Sequence, residues 1–437
     1  MITLWCEHAW LGGAAADAGV LLEIVGDRIH SVQSGVERAP DGCLVRYGLT
    51  LPGFANAHSH AFHRALRGRT HSGPGSFWTW RNTMYETAEA LNPDTYYQLA
   101  RAVYGEMLLA GFTSVGEFHY LHHDAGGVPY ANPNAMGEAL IAAAASAGLR
   151  ITLLDTCYLH GGIGHELNTV QQRFADQSVA GWANRVAALP EGPMVRVGAA
   201  VHSVRACDPT EIAEVARWAT ETNRPLHAHV SEQPAENAAC QAAYGLSPIE
   251  LFAAAGAISS RFSAVHATHL SPHDITALSG ATACFCPTTE RDLADGIGPA
   301  RRLIAAGVHL SIGSDSHAVI DPFEETRAIE LNERLATNER GNIDVASLLC
   351  AATESGQRSL GWSDAGAIRS GALADLVIVS TSSVRLAGTR VQDLLAAVVY
   401  AAHPTDVTDV MVGGRWVVAD RHHATLDVAA ELTAVLA

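Results

Sequence analysis

The sequence predicts an α/β fold: a closed (β/α)8 TIM barrel over residues 52–370, with a small β-sandwich domain built from both chain ends, 1–51 and 371–437. Three observations carry this. Eight strand-like runs alternate with alanine-rich helical stretches through the middle of the chain. Both ends are rich in strand and turn signals instead. Four clusters of histidine and acidic residues each follow a strand-like run, where a barrel of this kind gathers its chemistry.

In order along the chain, 20–25 is apolar, Gly26-Asp27 supplies a turn, and 28–32 resumes alternation. The run 44–51 leads into Pro52-Gly53-Phe54. Barrel strands are expected at 51–57, 114–118, 151–156, 195–201, 225–230, 263–267, 281–286 and 308–312. Between them lie helical stretches such as 93–110, 135–147, 209–222, 248–255 and 299–306. Eight such units favour a closed barrel over an open sheet. At the carboxy-terminal end, 374–379 and 410–418 read as strands, with Gly413-Gly414 as a hairpin turn.

Bulk properties narrow the function classes. The 437 residues hold 28 Lys and Arg against 45 Asp and Glu, a net charge of −17 with no basic run. Nucleic acid is therefore not an expected partner. With only 17% charged residues, the chain reads as a globular enzyme and not as a disordered segment. The eight cysteines (Cys6, Cys43, Cys157, Cys207, Cys240, Cys284, Cys286 and Cys350) form no C-x-x-C pair. They read as reduced core thiols of a reducing compartment. The start of the chain carries Glu7 and no basic leader pattern, and no apolar run would span a bilayer. A cytoplasmic protein without a membrane partner is expected.

The four clusters are His58-Ser59-His60, His227-Ala228-His229 with Glu232, His266 with His269, and Ser314-Asp315-Ser316-His317. Residues i and i+2 of extended backbone point to one side, so His58 and His60 can reach a single ion. His229 can complete the ligand set. His227 shares its face but reads better as a packed histidine. Glu232, three residues beyond His229, can exchange protons with a reacting group, or it can simply favour a helix N-terminus. His266 ends the sixth strand, and His269 lies beyond it and reads as structural. Asp315 can ligate a metal and hold a proton from water, or cap a helix. Nitrogen and oxygen donors without thiolate suit one divalent metal, Zn2+ first, with Fe2+ or Mn2+ open. Such an ion brings the pKa of water down to about 7.

With these residues the chain resembles the amidohydrolase superfamily, over nearly its whole length. The loops Asn56-Ala57-His58-Ser59-His60-Ala61-Phe62-His63-Arg64-Ala65, Ser76-Phe77-Trp78-Thr79-Trp80-Arg81, Gly116-Glu117-Phe118-His119-Tyr120, His202-Ser203-Val204-Arg205 and Cys286-Pro287-Thr288-Thr289-Glu290-Arg291-Asp292-Leu293 resemble those of the formimidoylglutamate deiminases within it. The resemblance implies metal ligands His58, His60, His229 and Asp315. It implies Glu232 as proton shuttle and His266 as the group orienting water or the tetrahedral intermediate. It also implies substrate contacts from Arg81, Tyr120, His202 and Arg205, and deimination of N-formimidoyl-L-glutamate, a step of histidine degradation. His63 stands where the family usually has glutamine, which bears on substrate preference.

The residues point the same way. Arg81 lies in an aromatic loop and Arg205 follows the fourth strand, so two guanidinium forks over one barrel mouth suit a small acidic substrate. The Trp78/Trp80 pair serves loop packing at least as readily as substrate stacking. A heterocycle deaminase has no need of the two arginines. A catalytically inactive assembly barrel is expected to lack some of the ligands that are present here. A homodimer is expected.

Overall fold

The computed structural model describes residues 1–70 and 77–436; Ser76 and the side chains of Phe77 and Trp78, part of one of the loop motifs above, lie outside the described residues. The strands from both ends are β1 (Ile2–Ala9), β2 (Asp17–Val25), β3 (Arg28–Gln33) and β4 (Leu44–Pro52), then β13 (Leu376–Val379), β14 (Val407–Val412), β15 (Arg415–Ala419) and β16 (His422–His423). They form one continuous eight-stranded sheet in the order β16-β15-β14-β13-β4-β1-β2-β3. The two ends meet where β4 and β13 run antiparallel with Leu51 opposite Val377. Leu4, Val20, Leu22, Ile29, Leu376 and Met411 give this sheet its own small core. The Gly413-Gly414 turn is a hairpin with positive φ at both glycines. A Cβ on Gly414 would stand 2.2 Å from the Gly26 carbonyl oxygen, so the two hairpin turns pack together only because a side chain is absent there.

The barrel strands are β5 (Phe54–Ser59), β6 (Phe112–His119), β7 (Arg150–Cys157), β8 (Val195–Val201), β9 (Leu226–Val230), β10 (Phe262–His266), β11 (Thr282–Phe285) and β12 (His309–Ile312). They lie side by side in chain order, and each paired neighbour is parallel. Seven of the eight expected runs fall on these strands with small shifts at their ends. The first does not: the run expected at 51–57 is divided between β4 and β5. Gly53 is the break. Its N–H donates to the Asp375 carbonyl of the end sheet, and a Cβ there would meet the Thr113 hydroxyl at 2.1 Å. The chain thus passes from one sheet into the other without a linker.

Local signals set the helices. Asn92 caps Pro93–Ala110, and Asp208 with Glu211 forms a capping box for Pro209–Glu221, each with Pro in the first turn. One expected element is corrected: Arg81 lies in the helix Phe77–Ala90 and not in a loop. Turn signals in the 71–76 stretch suggested a loop, whereas Thr79 to Ala90 contains no helix breaker. Among the described residues no helix is long and apolar enough to cross a membrane.

A buried ion pair ties the sheet to the barrel. Arg150, at the start of β7, reaches Asp375 with Nε and Nη2, both at 3.1 Å, while Asp375 also accepts from Gly413 N–H. Removing one partner of such a pair strands the other charge. Arg150→Met is expected to lower stability by about 3–5 kcal/mol, read from the urea midpoint. A shift below about 1 kcal/mol would place the pair among surface bridges of little weight.

Candidate active site

The barrel closes through the candidate ligands themselves. Asp315, just past β12, bridges Ser59 of β5: Asp315 N–H donates to His58 O at 3.0 Å and His60 N–H to Asp315 O at 3.3 Å. Asn56 and Ser314 add two side-chain bonds, 2.6 and 3.0 Å, just below. Gly313 permits the approach, because a Cβ there would lie 2.7 Å from His58 Cβ and 3.0 Å from Cys286 Sγ. Asp315 has φ +43°, and Ser231, His266, Ala267 and His317 are also left-handed. Unfavourable backbone concentrated at one barrel mouth marks a functional site.

Four donor atoms converge at this seam. His229 Nε2 lies 3.1 Å from His58 Nε2 and 3.3 Å from His60 Nε2. Asp315 Oδ1 lies 3.3 Å from His58 Nε2 and 3.5 Å from His60 Nε2. Donors bound to a tetrahedral ion at zinc–nitrogen distances stand about 3.4 Å apart, so the set fits one ion without rearrangement. Second partners orient the rings. His60 Nδ1–H donates to Phe118 O and His229 Nδ1–H to His202 O, both at 2.9 Å. Both rings are thereby fixed with a bare Nε2 facing the others. Burial holds the imidazoles neutral: it brings His60 down to about 3, and lowers His58 and His229 as well. For Asp315 burial alone would raise the pKa, but the His58 hydrogen bond and the surrounding imidazoles hold it well below the usual carboxylate range. Nitrogen lone pairs and a carboxylate pointed at one another repel unless a proton, as in the His58–Asp315 hydrogen bond, or a metal cation lies between them.

Other groupings of potential ligands are accounted for differently. His119, His122 and Asp155 cluster in the interior, but Arg185 already grips Asp155 with two bonds of 2.7 Å. His160, Asp208 and Glu211 are partly exposed, and Glu211 is committed to the Asp208 cap. His227 donates from Nε2 to Ser359 O at 2.9 Å, so that nitrogen carries the hydrogen and is no ligand. His269 likewise donates to Asp295 O at 2.7 Å, the structural role expected of it.

Beside the seam stand the candidate acid–base groups. His266 Nε2 is 3.7 Å from Glu232 Oε1 and 3.9 Å from Asp315 Oδ2, and His266 Nδ1 is 3.5 Å from Glu290 Oε1. Burial would lower the His266 pKa, yet the carboxylates of Glu232, Glu290 and Asp315 carry it well above the usual histidine value. Burial pushes Glu232 upward.

A cavity of about 430 Å³ opens from Asp315, His60, His229, Glu232 and His266. Its walls bring together every expected substrate contact: His63, Arg81, Tyr120, His202 and Arg205. Trp80 lines it too. His63 Nε2 is 3.0 Å from the Tyr120 hydroxyl, and burial keeps this imidazole neutral. Arg205 donates from Nε to Glu236 Oε2 at 2.9 Å and lies 4.0 Å from Glu232 Oε2. Sequence reasoning missed Glu236, and also Tyr85, Tyr158 and Phe174 on the cavity wall. The aromatic residues carry no local motif. Glu236 had a signal, an acidic residue in the first turn of the helix Pro234–Tyr244 opposite an arginine loop.

The sequence model of the amidohydrolase family matches residues 49–417. Formimidoylglutamate deiminase of Pseudomonas aeruginosa is 38% identical over 421 residues, covering 93% of this chain and 90% of the relative. A 5-methylthioadenosine/S-adenosylhomocysteine deaminase of Natronomonas pharaonis is 30% identical, covering 89% and 85%. The crystal structure of an amidohydrolase from Brucella melitensis superposes with a TM-score of 0.90 at 32% identity, covering 100% of this chain and 99% of that one. Matches that run the length of both partners, on top of a ligand set closing the barrel seam, leave one assignment: the chain belongs to the amidohydrolase family.

Proposed function

We propose that the protein hydrolyses N-formimidoyl-L-glutamate to N-formyl-L-glutamate and ammonia, a C–N bond cleavage that belongs to histidine degradation. The observation that carries the reading is one cavity lined by the candidate ligands His60, His229 and Asp315, by Glu232 and His266, and by two arginines, Arg81 and Arg205. The similarity to the P. aeruginosa deiminase supports it. The substrate carries an amidine on its α-nitrogen, one carboxylate on the adjacent carbon and a second at the end of its side chain, two anionic groups for two guanidiniums.

His58, His60, His229 and Asp315 would hold one divalent metal, with zinc the first choice for this donor set. The metal supplies a Lewis acid that makes water a better nucleophile near neutral pH. This chain's residues then handle the protons. Asp315 turns Oδ1 toward the imidazoles and Oδ2 toward His266, which supports Oδ2 as the atom that would take a proton from the attacking water. His266 orients the water and the tetrahedral intermediate. Glu232 delivers protons to the departing nitrogen. The water oxygen becomes the formyl oxygen, both water hydrogens end on nitrogen, and the C–N bond breaks with its electron pair on nitrogen. Arg205 and Arg81 hold the carboxylates, with Tyr120, His202 and His63 adding hydrogen bonds.

A second reading is deamination of a heterocycle, favoured by the aromatic lining of Trp80, Tyr85, Tyr120, Tyr158 and Phe174. Ammonia release from formimidoylglutamate, formimidoylaspartate, guanine, cytosine and 5-methylthioadenosine separates the two. Turnover confined to a neutral ring would overturn the acidic-substrate reading.

Two variants probe the roles. Positioned acid–base groups are worth on the order of 10²–10⁴ in rate. Glu232→Gln is expected to reduce kcat by about 10² or more with the metal retained, and a near-normal kcat removes Glu232 from the chemistry. Arg205→Met deprives a bound carboxylate of its partner, a loss of about 2–5 kcal/mol. That is roughly thirty-fold to several-thousand-fold in kcat/KM for the acidic substrate. Because the variant also strips Glu236 of its guanidinium, a neutral formamidine serves as control. Equal losses on both substrates would assign Arg205 to supporting Glu236 and Glu232.

A further inference from the structure

Behind the Glu232–His266 pair lies a third acidic side chain that the proposed reaction leaves unused. Asp295 is 2% exposed and does not line the cavity. Its place is fixed. Its N–H donates to Glu290 O at 2.9 Å, and its carbonyl accepts from His269 Nε2 at 2.7 Å. Its Oδ1 accepts from the Gln233 side-chain amide, next in sequence to Glu232. Its Oδ2 is buried without a hydrogen-bond partner. One donor atom each from Asp295, Glu232 and His266 lie within 4.8 Å of one another.

We propose that Asp295 is a positioning residue that holds one proton jointly with Glu232, keeping Glu232 aligned and protonated for delivery to the leaving nitrogen. The proposal rests on the hydrolytic reading above. The charges facing the site motivate it. Glu232, Glu290, Asp315 and Asp295 surround one imidazole, His266, and Arg205 approaches Glu232 alone. Carboxyls this close in a buried site do not all ionise, and such a pair loses its protons as a unit. Burial, then the nearby Glu232 charge, raise Asp295 to about 8, so a neutral acid at this position is self-consistent. A neutral Asp295 also gives the orphaned Oδ2 a hydrogen to donate, and Glu232 offers an oxygen within the 4.8 Å that gathers these groups. Glu232 passes its proton to nitrogen, the proton that Asp315 took from water replaces it, and the hydroxyl proton of the tetrahedral intermediate supplies the second hydrogen to nitrogen as the C–N bond breaks. The pair ends the cycle as it began.

Asp295→Asn tests this in the purified, metal-loaded protein. The amide keeps the size and the acceptor for Gln233 but removes the shared proton and one source of negative charge. Glu232 then ionises more easily, so the alkaline limb of the kcat profile moves to lower pH. kcat is expected to fall roughly 10- to 100-fold, the cost of losing an outer partner of a site residue, while KM, metal content and Tm hold. Asp295→Glu, which restores a carboxyl, should return the limb toward its wild-type position. An unmoved limb in Asp295→Asn, with or without a loss of Tm, overturns the proposal. Infrared difference spectra provide a readout independent of turnover. Wild type minus Asp295→Asn should show one protonated-carboxyl band at neutral pH that disappears in alkali, and its absence also overturns the proposal. If wild type released no ammonia from any substrate, the hydrolytic reading would fail while the band still reported where the proton sits.

Discussion

Three imidazole nitrogens and a carboxylate oxygen are forced together across the seam between the first and last barrel strands, and much of the structure serves to hold them there. The same few residues close the barrel and form the candidate metal centre. The Asp315 backbone exchanges hydrogen bonds with His58 and His60 while its side chain faces their rings. Stability and chemistry are thus coupled in one place. Left-handed backbone at Asp315 and His266 costs on the order of 1–3 kcal/mol each, and it persists because the seam over-determines it.

The surroundings follow from that constraint. Phe118 O and His202 O fix the tautomers of two of the candidate ligands, His60 and His229. Gly313 gives up a side chain so that the segment leaving the last barrel strand can lie against His58. Below the seam, Ser59 donates to Glu117 at 2.8 Å and contacts His317 at 3.2 Å, and burial lifts Glu117 to about 7. Around His266 the acidic groups Glu232, Glu290 and Asp315 outnumber the one nearby cation, Arg205. Arg81 and Arg205 bring the opposite charge to the same cavity, Arg205 directly beside Glu232 and Glu236.

Much of this was legible in the sequence, and the reasons differ by residue. Strand ends could be read because apolar runs stop abruptly at His58, His229 and His266, and period two places His58 and His60 on one side. Asp315 was legible as a residue but not as the barrel's closing bridge, since pairing between positions 59 and 315 is a property of the closed sheet alone. The division of 51–57 at Gly53 was hidden because apolar composition is the same on both sides, and only the Asp375 contact and the Thr113 clash reveal two sheets. Arg81 was placed in a loop because the turn-rich stretch before it masked the helix that follows. Arg205 was read as a clamp for substrate; its existing partner Glu236 comes from the next helix and has no fixed spacing to it. Asp295 was invisible because nothing local marks a carboxyl that matters through burial and its neighbours.

X-ray absorption at the metal edge of the metal-loaded protein tests the central claim most directly. A site of three imidazoles and one carboxylate predicts a first shell of nitrogen and oxygen alone, near 2.0–2.2 Å, with the outer scattering of imidazole rings. The alternative is close at hand, for His266, Cys286 and Asp315 also converge within 4.8 Å. Sulfur scattering at about 2.3 Å would place the ion there instead and contradict the account.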